Sequence, residues 1–384
     1  MKNIFFILLF LTVLFTGCVP DPQLIREDFL FTYNIKAENL QGINKIYLQE
    51  ENDLIWFTTA HQGFLSFNTE TKNWEYYDLK RGLLSLNLFS FAVGDNEIWV
   101  GTDTGLMRMS VNKNKIENFF GSTNNLLSKK INSIFVEKDI IWIGTNKGVT
   151  ALVKNPDVLL TVSQVSTAID KEWIKFKKSD GLVANNISII KATKTRIYFG
   201  TNSGLSILNK NYQQFKSYTK ASGDLQNDFI TDIIVDEPYV WVATLEGLSR
   251  FHIIFENWEQ FNISSGLPSN SIIKIINTKN ELFVLTQEGL GKFDKSFNIW
   301  RTILTKPFIL NGDFTSLAVS NGIIYVGTSN GIYYSTSREG IFRKLFIDRE
   351  EVRSSIFDIQ IDKNGVWFSS DKGTFHFVKI KNTN

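Results

Sequence analysis

One nine-residue pattern returns along the whole chain and limits what it can fold into. "IWVGTDTGL" begins at Ile98, "IWIGTNKGV" at Ile141, "IYFGTNSGL" at Ile197, "VWVATLEGL" at Val240 and "IYVGTSNGI" at Ile324. Weaker copies start at Ile55, Leu282 and Val366. Their aromatic positions are Trp56, Trp99, Trp142, Tyr198, Trp241, Phe283, Tyr325 and Trp367, spaced 43, 43, 56, 43, 42, 42 and 42 residues apart. A repeat of this length, made of short apolar runs rich in Ile, Val and aromatics, predicts four-stranded propeller blades and excludes helices.

One blade is legible in full. Within 229–270, Ile230–Val235 reads as strand a, Val240–Thr244 as b, Gly247–Ile253 as c and Trp258–Phe261 as d. Strand b is apolar on both faces because each blade lies between two others. In the second copy Gly101 and Thr102 suit a crowded approach of strands, and Gly105 closes a tight b–c hairpin. All nine tryptophans fall at two repeat positions. Trp56, Trp99, Trp142, Trp241 and Trp367 lie in strand b, and Trp74, Trp173, Trp258 and Trp300 begin strand d. Aromatics that read a ligand would gather on one face of a few blades, so these belong to a core.

The two ends complement each other. After Trp367 enough residues remain for a strand c but no strand d, and before the first blade Phe29–Tyr33 is a spare strand d. The expected fold is therefore all-β: a single eight-bladed propeller of four-stranded blades, closed by the N-terminal strand. Seven blades plus a stray hairpin is the alternative. The longer third repeat holds an insertion at 155–171, readable as a recognition element or as a long hairpin.

The N-terminus is separate from this ring. "MKNIFFILLFLTVLFTGC" has one Lys, an apolar run from Ile4 to Phe15, small residues, and Cys18, the only cysteine in the chain. The run is short for a membrane span and suits a secretory signal. "FTGC" resembles the lipobox of bacterial lipoproteins, which implies cleavage before Cys18 and lipidation of its thiol; plain secretion is the alternative. The division expected is 1–17 signal peptide, 18–27 lipid-anchored tether and 28–384 propeller. No Asp follows Cys18 directly, which favours the outer membrane within a cell-envelope location. With 41 basic and 39 acidic residues and no long basic run, nucleic acid is not an expected partner. Contact with the membrane is expected through the N-terminal lipid only.

The composite pattern, strand b followed by Gly-Leu, a strand-d Trp and a connection such as "GLPSN", resembles the propeller repeat of bacterial two-component regulator sensors. The likeness extends from Asp28 to Val378. It implies a periplasmic sensing propeller of the kind carried by membrane histidine kinases, often associated with glycan use. No kinase or DNA-binding region follows Val378, so any signalling is expected to pass through another protein.

Catalytic sets are scarce. His61, His252 and His376 lie on different blades, at positions of outer strands and turns, and are read as ordinary hydrogen-bonded histidines. No nucleophile elbow, P-loop or dinucleotide fingerprint occurs. No catalytic residue, metal ligand or cofactor is assigned. The enzyme alternative is a lactonase or lyase at the central channel, where Asp228, Asp232, Asp313 and Asp358 near the starts of inner strands could hold Ca²⁺. Turn and cap duties explain these residues equally well.

A better candidate surface is the face that carries the b–c turns and the d–a connections. Its turns present Asp103, Thr104, Asn146, Lys147, Asn202, Ser203, Glu246, Asn330 and Asp371. Its inner rim presents Asn87, Lys130, Asn186, Asp228, Asn270, Asp313 and Ser355. Varied side chains on a rigid frame are the usual way loops acquire recognition. The leading expectation is a non-enzymatic envelope platform binding a protein, possessing a runner-up in a glycan- or small-ligand-binding lipoprotein.

Overall fold

The computed structural model describes residues 29–35, 43–94, 96–120, 125–154, 168–170, 173–210, 214–306, 312–336, 341–347, 350–351 and 354–379. These form eight antiparallel blades; seven are ordered a-b-c-d in space as in sequence, and the eighth takes its strand d from the start of the chain. Blade 5 runs Ile230–Asp236, Tyr239–Thr244, Gly247–His252 and Trp258–Phe261, within one residue of the strand limits read from sequence. Strand a packs on strand a around the ring, and between blades 1 and 2 the contact includes Tyr47 against Phe91, with ring centroids 4.7 Å apart.

Closure follows the expected exchange. Phe29–Ile35 pairs antiparallel with Gly373–Lys379, strand c of blade 8, from Phe29 opposite Lys379 to Ile35 opposite Thr374. The ring therefore ends on a paired strand. The signal segment, the tether and Cys18 lie outside the described residues. Of the 155–171 insertion only Ala168–Asp170 is described, and it adds a fifth strand to blade 3 beside Trp173–Phe176.

The core is divided rather than central. Each apolar cluster lies between two adjacent blades, and the strand-b aromatic of each blade points to the next one: Trp56 to blade 2, Trp99 to blade 3, and so on to Trp367, which reaches blade 1. The five strand-b tryptophans are at most 1% exposed. Burial of such rings is the largest apolar contribution each inter-blade joint receives. Several also satisfy their indole N–H from the a–b loop of their own blade. Trp142 donates to Glu137 at 2.7 Å, Trp367 to Asp362 at 2.8 Å and Trp56 to Gln49 at 2.9 Å.

The small residue of the motif has a steric cause. A Cβ placed on Gly200 would lie 2.6 Å from Ile189 Cγ2 and 2.8 Å from Ile230 Cγ2, the first residue of strand a in the next blade. The hydroxyl that follows does more than fit a crowded place. In every blade it donates to the carbonyl of the glycine beyond the turn, at 2.7–3.0 Å: Thr59, Thr102, Thr145, Thr201, Thr244, Thr286, Thr328 and Ser370. In seven blades it also accepts a turn N–H, as from Ser203 to Thr201 at 3.0 Å. Gly204 then takes φ +125°, where a Cβ would strike the Tyr218 carbonyl oxygen at 2.5 Å.

Candidate functional site

Every strand a carries a register break after its first residue. Such a bulge re-aims the chain. The first and fourth residues, such as Ile230 and Ile233, turn into the blade joints and are buried or half-buried there, while the second and third meet the channel mouth and wall. The third residues around the ring are Lys45, Ser90, Ser133, Ile189, Asp232, Lys274, Ser316 and Asp358. A cavity of about 640 Å³ opens among strands a of blades 1, 6, 7 and 8. Asn44, Lys45, Lys274, Asp358 and Gln360 line its wall, with Ile273 and Phe357 alongside.

One ion pair, Lys274 with Asp358, lies in its wall. Asp358 Oδ1 accepts from Lys274 Nζ at 2.8 Å and from Ser316 Oγ at 3.5 Å. Its Oδ2 accepts from the Ile46 N–H at 3.0 Å and from Gln360 Nε2 at 3.3 Å. Asp232 is half-buried. Burial pushes its carboxyl up, while the Ile233 N–H and then Lys191, Lys274 and Lys45 act against that shift. Asp228 and Asp313 sit instead on the connections: Asp228 Oδ1 accepts from the Lys220 N–H at 2.6 Å, and Asp313 pairs with Lys306 at 2.9 Å. The four aspartates raised for Ca²⁺ thus have separate partners, and among the described residues no three His, Cys, Asp or Glu side chains converge.

The histidines are likewise dispersed. His376 is buried, stacks on Trp367 at 4.0 Å and sits 3.6 Å from Asp362. Burial alone would push the Asp362 carboxyl up, but His376 and the Trp367 indole N–H outweigh it and hold the group at about 2. His252 Nδ1 accepts from the Ile254 and Phe255 N–H groups, and exposed His61 meets Asn87 at 3.3 Å.

The b–c turns and d–a connections share one face, and the polar residues read there from sequence divide into two sorts. Some knit the face together. Asn87 donates to Asp103 at 2.9 Å, and Ser85 and Asn87 hold the Asp103 carboxyl below its ordinary range. Lys220 pairs with Glu246 at 2.7 Å, and its hydrogen bond lowers that carboxyl too. Asp371 accepts from Ser354 and from the Ser355 N–H, Asn270 accepts from the Ile263 N–H at 3.0 Å, and Asn132 donates to Asn186 at 3.3 Å. Lys130 places its ammonium 5.0 Å from the Phe89 ring. In the second sort the turn is held by backbone. Thr104, Lys147, Ser203 and Asn330 donate their N–H groups to the motif hydroxyls. The neighbouring Asn146 and Asn202 are exposed.

Sequence reading missed the apolar members of this face. Phe89, Ile273 and Phe357, each the second residue of a strand a, are 47%, 37% and 38% exposed. Phe229, just before strand a of blade 5, is 42% exposed, and Leu245 and Ile263 stand on the same face. The available signal was an apolar pair at the start of strand a ("LFSF", "IIKI", "IFDI"), in which only one member can enter the joint.

No family model matches the chain, and no curated protein matches it. Among solved structures it is similar to the computationally designed Ika8 protein, at 12% identity and TM-score 0.62, over 89% of this chain and 97% of that one. It is similar to BamB from Moraxella catarrhalis at 12% identity and TM-score 0.59, over 93% and 99%. The extracellular domain of a hybrid two-component system from B. thetaiotaomicron matches at 17% identity and TM-score 0.48, over 92% of this chain and 55% of that one. The first two likenesses concern the fold alone.

Proposed function

We propose that the chain is a non-enzymatic lipoprotein of the bacterial cell envelope, held through Cys18 with the outer membrane favoured, whose b–c/d–a face binds a protein partner. The observation that carries this reading is the apolar collar at the channel mouth. Phe89, Phe229, Ile273 and Phe357 stand in water on a rigid inner ring, beside polar residues already engaged with one another. Desolvating such side chains in a partner's pocket is the usual source of interface energy. A second reading, a glycan or other small polar ligand, is supported by the cavity, whose volume falls in the range of ligand sites and whose wall sets Asn44, Lys45, Lys274, Asp358 and Gln360 beside apolar side chains.

The test is photo-crosslinking in envelope preparations with a benzophenone residue replacing Leu245 on the same face, in the otherwise native chain and in Phe229→Ser/Phe357→Ser. One discrete protein adduct, reduced about tenfold or more in the double variant, is expected if the partner buries both aromatics. Absence of an adduct, together with binding of an oligosaccharide to the purified protein, transfers the assignment to the second reading.

A further inference from the structure

We infer that the opposite face, formed by the a–b loops and c–d turns, rests on a lipid surface with Ile254, Phe255 and Phe297 dipping into it. Ile254 and Phe255 occupy the c–d turn of blade 5 and are 73% and 75% exposed; Phe297 occupies the c–d turn of blade 6 and is 72% exposed. They are among the most exposed large apolar side chains described, and none enters a blade joint.

Their turns are built to hold them outward. The Ile254 and Phe255 N–H groups donate to His252 Nδ1 at 3.3 and 3.2 Å, and the Phe255 ring lies 4.4 Å from the imidazole. Glu256 is gripped by Arg196 at 2.7 Å and by Lys216. In blade 6 the Phe297 N–H donates to Asp294 Oδ1 at 3.3 Å. Arg250 of blade 5 donates to Asn298 at 2.8 Å, which ties the blade 6 turn to blade 5. Adjacent apolar tips with polar stems match the chemistry of an interfacial anchor.

The occupant is indicated by where the chain joins the ring. Phe29 lies opposite Lys379, at the end of strand c remote from the b–c turn, so the closing strand starts on this same face. The 28 residues before it include the apolar run and Cys18, and 10 residues separate Cys18 from Phe29. Fully extended, that tether reaches about 35 Å. A lipid-anchored chain therefore meets its bilayer on the side of the three tips, and presents the apolar collar away from it. This inference rests on the lipoprotein reading.

The experiment uses the lipidated full chain in vesicles of phosphatidylethanolamine and phosphatidylglycerol. Because the native thiol is blocked by lipid, a single new cysteine (Phe255→Cys, Phe297→Cys, or Asn146→Cys on the opposite face) takes a fluorophore, read by lipid-borne nitroxide quenching. Quenching at 255 and 297 about fivefold above that at 146 is expected. In Ile254→Ser/Phe255→Ser/Phe297→Ser, a label at Lys279→Cys on the same face should lose most of its quenching. Equal quenching on both faces, stronger quenching at 146, or an unchanged triple variant overturns the proposal. So does dimerisation in detergent that the triple variant abolishes, which would assign the tips to a second copy. Mass analysis of the N-terminal peptide reads the anchor separately. If Cys18 carries no lipid, Cys18→Ser versions of the labelled chains are mixed with the same vesicles and the face comparison still decides the patch.

Discussion

Strand b and strand a lie side by side in every blade, yet they vary in opposite ways. At the end of strand b all eight blades keep a hydroxyl, with the same bond to the glycine carbonyl. At the third residue of strand a the ring carries two Lys, two Asp, three Ser and one Ile. Eight copies in one chain act as an internal alignment. What every blade retains is what a blade needs in order to form; what differs from blade to blade belongs to the ring as a whole.

The sharpest way to break this contrast is to disturb strand b. Gly200→Val drives a Cβ with two methyl groups into Ile189 and Ile230, and overpacking on that scale should destabilise by about 3 kcal/mol, measured by guanidinium denaturation. A Val at Ile189, on strand a, should change far less. The next effect is on pH. Asp362 is lowered from the ordinary 3.8 to about 2, so its contribution is complete above pH 3.8 and fades as pH falls toward 2. The shift corresponds to about 2 kcal/mol. Asp362→Asn should flatten that acid limb in a denaturation series from pH 5 to 2; an unchanged limb would show that other carboxylates set it. The smallest effect is Thr201→Val, which leaves the Gly204 carbonyl and the Ser203 N–H without their partner. The expected loss is about 1.5 kcal/mol, checked in the same denaturation assay. If it proves neutral, the eightfold hydroxyl has another reason.

The same division explains what was legible in the sequence. Repetition exposed the blade count, the strand limits of blade 5 and the exchange between Phe29–Tyr33 and the last blade, because each rests on period and pairing. The hydroxyl bridge was visible as a recurrent Thr but its partner was not, since a turn's hydrogen bonds follow from backbone geometry. The channel site was partly hidden for a different reason. Asp228 and Asp358 look alike as aspartates near a strand start, but Asp228 lies two residues before Ile230 and caps a connection, while Asp358 follows the bulge and faces the channel. The collar was hidden by the same bulge, which sends Phe357 outward two residues before Ile359 turns in.

Closure by the first strand also sets an order of events. A chain made from its N-terminus must carry Phe29–Ile35 without its mate until Gly373–Lys379 exists, so the ring locks only after strand c of the eighth blade has been made. Until then that edge is open to any matching strand, including one from a neighbouring nascent copy. Two chains that trade first strands would form an interlocked pair with every blade complete, and dilution during refolding is the condition that favours the single ring over that exchange.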